Sequence, residues 1–360
     1  MVATSPAAEP AIEPYRSSSE HLRDELARID LLVRGQVFRA RQASGDDPYR
    51  GLVISEAEVD ALLARAPGVP PWDAATAGPS LADARAFADR IAGVIASRCE
   101  RSTASLRLVQ LAQRFALDRF ALDVVMLALA PELDLRYERL YAYLHDDIHR
   151  KRPSVDLALN LLCGSLDERL AARARFTATS PLVRHGLIRV LGEPDAPLLA
   201  RPIKLDDRIV NWLHGSDDLA PRLAPHAHRI APSGALADLV ADTDTRDRLR
   251  SLAGSADHSL VVYLLGPAGA GKRTTAEALV CELARGAAPP RALVALDAAS
   301  LDGLSDDATA EIVLAAVREA RLADDVLLVE HADLLLAGER RIGRTALLDA
   351  IPSLPSPVIL

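Results

Sequence analysis

The sequence predicts two domains of different class: a mainly helical domain, followed by an α/β domain built on a parallel sheet. The first prediction rests on apolar residues that recur at three- and four-residue spacing over most of residues 19–215. The second rests on strand and helix patterns that alternate after residue 235, because this order gives a parallel sheet with helical crossovers. With 360 residues and a hydrophobic fraction of 49%, the chain is long enough for two or three packed cores.

Charge and composition exclude several classes of protein. A formal net charge of −8 and an aromatic content of 4% argue against a general nucleic-acid or membrane-surface binder. No apolar run approaches the ~18 residues of a membrane span, and the N-terminus lacks the basic start and apolar core of a signal peptide. The 3 cysteines lie far apart and are expected to be buried hydrophobes in a reducing compartment. We therefore expect a cytoplasmic protein without a membrane partner.

The N-terminal region is predicted to change from a disordered tail to helices. Residues 1–18 are rich in Pro, Ala and Ser, which favours a flexible tail. Residues 19–80 are predicted to hold N-terminal helices and a linker. An amphipathic helix begins at Ser19, and Ser55 with Glu58 forms a capping box before a second, short helix.

Residues 81–215 are predicted to form a helical domain of winged-helix type. Cap residues and proline mark its helices: Asp118, Pro131 and Ser154 each begin one, and two more are predicted at 166–176 and 180–191. The segment 197–205 is extended and interrupted by proline, so it is predicted to be a hairpin strand or wing. Many short helices with one late extended segment are typical of a winged helix.

Residues 216–234 contain three prolines and no periodicity, which predicts a linker between the domains. Residues 235–360 are predicted to be a nucleotide-binding core. Within it, an apolar run ends in GPAGAGKRT, followed by a helical pattern. This matches the phosphate-binding P-loop, G-x-x-x-x-G-K-[ST], except at Arg273. The candidate nucleotide-binding residues are Gly266, Pro267, Ala268, Gly269, Ala270, Gly271, Lys272, Arg273 and Thr274.

The chemistry of this loop favours phosphate binding more than metal binding. Glycines let backbone N–H groups approach a phosphate closely, and a lysine neutralises its charge. Lysine is scarce in this arginine-rich chain, which makes Lys272 at the end of the loop informative. Arg273 stands where a Ser or Thr would hold magnesium, so Mg²⁺ binding is expected to be weakened. Two interpretations of Arg273 remain open: it contacts the phosphates in place of the metal, or it lies on the exposed face of the helix.

The segment 260–360 resembles the core of an AAA+ ATPase, a P-loop NTPase family. GPAGAGK resembles the family's phosphate loop, and VREARLADDVLLVEHADLLL resembles its Walker B region. The resemblance puts Glu330 at the position of the Asp that supports magnesium, His331 at that of the Glu that polarises water, and Asp333 at a later acidic position. It implies ATP or ADP as the ligand, with Glu330 and His331 as degenerate catalytic residues.

A second resemblance covers roughly residues 100–215. The segment that begins FALDVVMLALAPELDLRYERLYAYL is similar to the domain before tandem AAA modules in bacterial ATPases of phage-tail-like contractile injection systems. That resemblance implies a winged-helix-like N-terminal domain, a degenerate first module and an active second one. It also implies protein partners and self-association into a ring, commonly a hexamer. Because PSPVIL (355–360) begins a core strand and later family elements do not follow, we expect a truncated core and a longer protein.

Three functions remain open from the sequence. The first is an ATP-binding AAA+ segment that couples nucleotide binding to remodelling or assembly of a protein complex. Hydrolysis is then expected of the full-length protein and not of this module alone. The second is a non-catalytic scaffold with a nucleotide fold, and the third is a winged-helix DNA-binding regulator, supported by the basic run HRKRP (149–153). His145 and His149 have zinc-compatible spacing without a third ligand, so a solvated helix end is the favoured interpretation.

Overall fold

The chain divides into two compact units in the computed structural model: unit 1, Met1–Ser216, and unit 2, Asp217–Leu360. The structure describes residues 13–44, 81–193, 195–254, 260–283, 291–336 and 341–360. The predicted capping box of Ser55 and Glu58, and most of the predicted N-terminal tail, lie outside the described residues.

Unit 1 is mainly helical, as its apolar periodicity predicts. Its described helices are α1 (Ser18–Ser44), α2 (Leu81–Arg101), α3 (Arg107–Phe115), α4 (Arg119–Leu133), α5 (Arg136–His145), α6 (Val155–Leu162), α7 (Leu166–Ala172), α8 (Pro181–Arg184) and α9 (Asp207–Leu213). A two-stranded hairpin of β1 (Ile188–Val190) and β2 (Ile203–Leu205) lies between α8 and α9. In the part of the chain that the structure describes, no helix has the length and apolarity needed to span a bilayer.

The end of the predicted tail is ordered. Tyr15 is buried, its backbone N–H donates to Ser102 Oγ at 2.7 Å, and its hydroxyl donates to Asp24 Oδ2 at 3.0 Å. The guanidinium carbon of Arg98 lies 3.9 Å from the centre of the Tyr15 ring. The prediction of a disordered tail over 1–18 is therefore wrong for its last residues, because Tyr15 contributes an aromatic anchor that Pro and Ala content does not reveal.

A buried ionic network fixes α1 against α4. Glu25 accepts hydrogen bonds from Arg28 Nε at 3.0 Å and from both terminal nitrogens of Arg119, at 2.7 and 2.5 Å. Asp123 pairs with Arg28, and with Arg119 Nε at 3.0 Å. Burial alone would raise the pKa of Glu25, but His21, Arg119 and Arg28 hold it well below its usual range. Two carboxylates and two guanidiniums thus compensate one another inside the helical unit.

Pro131 lies in the last turn of α4 and does not begin a new helix, which corrects the sequence prediction. A proline lacks the N–H that would bond to the carbonyl four residues earlier, here that of Leu127. The hydroxyl of the fully buried Tyr141 donates to Leu127 O at 2.9 Å and replaces that bond. Tyr141 on α5 therefore lets α4 continue through the proline.

The hairpin confirms the predicted extended segment at 197–205 only for its end, β2, because Leu198–Ala200 form a 3-10 turn. It also corrects the predicted helix at 180–191. Gly186 has φ +61, which ends α8 and turns the chain into β1. β1 and β2 pair antiparallel, with Arg189 opposite Lys204. A bridge between Ser154 and Pro202 adds the segment before α6 as a third extended piece.

Unit 2 contains helices on both faces of a five-stranded mixed sheet. Its strands are β3 (Ala227–Ile230), β4 (Val261–Val262), β5 (Leu293–Asp297), β6 (Val326–Glu330) and β7 (Val358–Ile359), in the order β3-β5-β6-β7-β4. Its described α-helices are α10 (Thr243–Gly254), α11 (Lys272–Leu283), α12 (Asp306–Ala323), α13 (Ala332–Leu336) and α14 (Arg341–Ala350). β4, β7, β6 and β5 are mutually parallel, whereas β3 pairs antiparallel with β5.

Each face of the sheet has its own core because strand side chains alternate between faces. Leu293 and Ala295 pack with residues of α11 on one face, and Val294 and Leu296 pack with residues of α12 and α14 on the other. All four side chains are fully buried. A central strand that is apolar on both faces is typical of a sheet covered by helices on both sides.

Strand β3 lies within the predicted linker at 216–234, so the linker prediction is wrong for these residues. Ala227 is buried in the core that contains α12, and Ile230 packs against the core that contains α11. The remaining positions are polar or half-exposed, which hides the strand from periodicity analysis. An edge strand buries less apolar surface than a central one, so its sequence signal is weak.

Candidate functional site

The glycine-rich loop of unit 2 joins the carboxyl end of β4 to the start of α11. Gly269 and Gly271 have φ values of +81 and +80, a conformation that other residues rarely adopt. The Nζ of Lys272 donates to the carbonyl oxygens of Gly266 at 2.7 Å and Pro267 at 3.0 Å. The ammonium group therefore lies against the loop, where its charge has neutral partners.

The guanidinium of Arg273 is half-exposed and lies against side chains from three other places in unit 2. Its Nη2 donates to His228 Nε2 on β3 at 2.8 Å. Its Nη1 lies 3.7 Å from Glu330 Oε1 at the end of β6, and its Nε lies 3.7 Å from Glu277 Oε1 one turn along α11. Arg273 thus connects the start of the helix to the carboxyl end of the sheet.

Asp297 and His331 form a second pair at the same edge of the sheet. Asp297 ends β5 and lies in register with Glu330, which ends β6. His331 Nδ1 lies 2.8 Å from Asp297 Oδ1, and the same oxygen accepts the N–H of Ala299 at 3.0 Å. An ionised carboxylate can only accept, so Nδ1 of the imidazole carries the proton in this pair. His331 has φ +54, a strained conformation for a residue with a Cβ.

The structure brings together most, but not all, of the residues that the sequence predicted. Lys272, Arg273, Glu330 and His331 gather at the carboxyl edge of the parallel strands. Thr274 and Asp333 are exposed on α11 and α13.

Sequence reasoning missed the two partners His228 and Asp297. An acidic residue directly after a buried strand could have indicated Asp297. His228 falls in the predicted linker, where no local signal indicated a strand.

The hairpin of unit 1 pairs two basic side chains across its strands. Arg189 on β1 lies opposite Lys204 on β2. Residues paired in this way point to the same face of a hairpin, about 4.8 Å apart in the direction across the strands. Arg152 lies two residues before Ser154, which bridges to Pro202. Arg152 and Arg189 are exposed, and Lys204 pairs with Asp207 at 2.7 Å. Asp207 supplies one negative charge beside the two positive charges of Arg189 and Lys204.

His145 has a structural role at the start of the hairpin region. Its Nδ1 lies 3.0 Å from Arg150 O and its Nε2 lies 2.9 Å from Ser154 Oγ. Both ring nitrogens are therefore engaged with protein groups. Over the described ranges, no three His, Cys, Asp or Glu side chains are grouped so that they could hold a metal ion.

The comparisons with known proteins identify the family of the first part of the chain. A family model described as "Winged helix domain, variant" matches residues 3–227. No curated protein and no solved structure matches the chain. The family match covers more than half of the 360 residues. The chain therefore belongs to the family of variant winged helix domains.

Proposed function

We propose that unit 2 binds the phosphate groups of ATP or ADP and that its hydrolysis activity is impaired. The observation that carries this proposal is the position of Lys272. Among the described residues, its hydrogen-bond partners are the two loop carbonyls of Gly266 and Pro267, and no carboxylate neutralises it. An uncompensated ammonium beside a glycine-rich loop and a helix N-terminus favours an anionic ligand.

Impaired hydrolysis follows from the partners of the degenerate catalytic residues. Phosphoryl transfer to water in P-loop proteins uses Mg²⁺ and a group that orients the water. Glu330, the candidate support for Mg²⁺, has the guanidinium of Arg273 at 3.7 Å. His331, at the water-polarising position, is held by Asp297. The residues present therefore do not fit a magnesium site of the usual kind.

At the level of the whole protein, the proposal is an AAA+-like module that couples nucleotide binding to the remodelling or assembly of protein partners. Its support is the resemblance of the GPAGAGK and VREARLADDVLLVEHADLLL segments, together with the parallel strands that bring them to one edge. Ring formation, commonly as a hexamer, follows from the same resemblance. A scaffold that does not bind nucleotide is the alternative, and the binding experiment separates the two.

The test is a calorimetric titration of ATP and ADP into the wild type and into Lys272→Ala. We expect binding by the wild type and a loss of about tenfold or more in the variant, because a hydrogen bond from a charged group contributes about 1.5–3 kcal/mol. Lys151→Ala is the matched control, since Lys151 is an exposed lysine of unit 1. No binding by the wild type would favour the scaffold alternative.

A second candidate function, contact of the winged helix domain with a polyanion such as duplex DNA, is favoured by the paired Arg189 and Lys204 of the hairpin and by the exposed Arg152 of the basic run HRKRP. Like charges opposite each other destabilise a hairpin, so the pair of Arg189 and Lys204 is more easily explained by an anionic partner. Fluorescence anisotropy with labelled duplex DNA at several salt concentrations tests it. We expect Arg152→Ala with Arg189→Ala to weaken binding and to lower the salt slope by about 2. Arg222→Ala in unit 2 is the control, and an unchanged slope would exclude the hairpin face.

A further inference from the structure

The feature that carries a further inference is the arrangement of charged groups around Arg273. Guanidinium groups only donate hydrogen bonds, so Nε2 of His228 must accept the 2.8 Å bond from Arg273. His228 is therefore neutral in this contact, with its proton on Nδ1. This leaves the positive charge of Arg273 intact and uses one of its five N–H donors.

The two carboxylates near Arg273 attract its positive charge but do not accept direct hydrogen bonds from its N–H groups. Glu277 Oε1 and Glu330 Oε1 each lie 3.7 Å from a guanidinium nitrogen. A direct charge-assisted hydrogen bond would have a length of about 2.7–2.9 Å. Donors of Arg273 thus remain available to an anion, while the carboxylates hold the group at the edge of the sheet.

The same arrangement disfavours a divalent cation. A metal ion that approached Glu330 would meet the guanidinium close by, and Arg273 offers no oxygen ligand. The guanidinium is fixed from both sides, by His228 on β3 and by Glu330 on β6. It supplies near the loop a positive charge of the kind that a metal would supply.

We propose that this site takes a nucleoside polyphosphate free of divalent metal, with Arg273 and Lys272 as the two cations that neutralise it. This inference rests on the proposed nucleotide binding and names its ligand class. His228 is a positioning residue that aims the guanidinium. The planar group makes paired hydrogen bonds to phosphate oxygens, which a lysine at the same position would not reproduce.

The experiment compares the affinity for a fluorescent ATP analogue in Mg²⁺ and in EDTA. We expect the wild type to bind equally well in both. Arg273→Thr supplies the hydroxyl that such loops use for magnesium; it should bind about tenfold or more weakly in EDTA and recover when Mg²⁺ is added. Arg273→Lys keeps the charge without the planar donors and should bind with intermediate affinity and no response to Mg²⁺.

Two further variants separate ligand contact from a structural role. His228→Ala should weaken binding in EDTA without creating a response to Mg²⁺, because Arg273 remains, and His228→Gln should restore part of the affinity. Arg222→Thr, an exposed arginine of unit 2 paired with Glu311, is the matched control and should change nothing. If Arg273→Thr does not fold, Arg273→Lys tests the inference instead. Intermediate affinity without a response to Mg²⁺ would support it, and wild-type affinity in EDTA would contradict it.

The outcomes distinguish this inference from the proposed function. If the wild type binds nucleotide only in Mg²⁺, or if Arg273→Thr binds like the wild type in EDTA, the inference is overturned while nucleotide binding stands. If the wild type binds nucleotide in neither buffer, the proposed nucleotide binding is refuted, and the inference is refuted with it. Equal wild-type affinity in both buffers, with a response to Mg²⁺ gained by Arg273→Thr, supports the inference.

Discussion

The buried network of Glu25, Arg28, Arg119 and Asp123 leads to a quantitative prediction for Glu25→Gln. Glu25 is 2% exposed and accepts three hydrogen bonds from two guanidiniums. The substitution removes the negative charge, and the new amide NH₂ faces guanidinium N–H groups, so a donor meets a donor. Asp123 is then the one carboxylate of this network that compensates the charges of Arg28 and Arg119.

The expected loss follows from the burial of these groups. Removal of one partner from a buried ion pair costs about 3–5 kcal/mol. The side chain of Arg119 is 41% exposed and can be partly hydrated, which favours the lower end of that range. We therefore expect a loss of about 3 kcal/mol in the free energy of unfolding of unit 1, or about 1–2 M in the urea midpoint.

Intrinsic fluorescence is a suitable assay because Trp212 is buried in α9 of unit 1. Glu138→Gln is the matched control, since Glu138 meets Lys151 at 4.0 Å on the surface and should contribute less than about 1 kcal/mol. If Glu25→Gln loses no more stability than Glu138→Gln, the network does not stabilise the fold and the reasoning is refuted.

Two other substitutions and one pH series test the packing of each unit. Gly343→Ala would bring a Cβ to 2.7 Å from Thr309 Cγ2, so we expect a loss of about 1–3 kcal/mol, seen as faster hydrogen exchange in α12 and α14. Gly93→Ala meets nothing within 4 Å and should stabilise α2 by about 0.5–1 kcal/mol in the fluorescence assay; a loss there would contradict the packing argument. Burial and the nearby Arg150 charge lower the pKa of His145, so the unfolded chain binds a proton more readily as the pH falls below about 6.5. The wild type should therefore lose more stability than His145→Gln between about pH 7 and pH 5, and equal losses would exclude this contribution.

Local signals in the sequence predict the helical unit well where a cap residue acts through its own side chain. Asp118 accepts the N–H of Ala121 at 3.0 Å, and Ser154 accepts that of Leu157 at 3.1 Å, as their positions before apolar runs predict. The prediction failed at Pro131, whose lost backbone bond is replaced by a tyrosine on the next helix. Local patterns do not contain that kind of compensation, because it depends on tertiary packing.

The candidate site shows the same division between local and distant information. The loop from Gly266 to Lys272 is contiguous, so its glycines and lysine could be predicted from spacing. His228 and Asp297 reach the site only through the strand order β3-β5-β6-β7-β4, in which neighbours in space are far apart in sequence. Periodicity gives strands but not their order, and these partners could not be predicted.

The altered motif positions of unit 2 are connected to one another through these partners. Arg273 is held by His228, Glu330 faces Arg273, and His331 is held by Asp297. In the proposed site, Arg273→Thr frees Glu330 and adds a hydroxyl, so we expect this variant to allow a metal-assisted contact with phosphate. It leaves the imidazole of His331 bound to Asp297, so the residue proposed to orient water is unchanged.

We therefore expect Arg273→Thr to bind nucleotide with Mg²⁺ without gaining hydrolysis. Release of phosphate by this variant, measured in single turnover beside the wild type, is the discriminating assay. Hydrolysis by Arg273→Thr alone would mean that the Asp297–His331 pair already orients water, and that the missing metal ligand was the sole defect. No hydrolysis in the presence of metal-dependent binding would mean that the changes at Arg273 and His331 are separate barriers to catalysis.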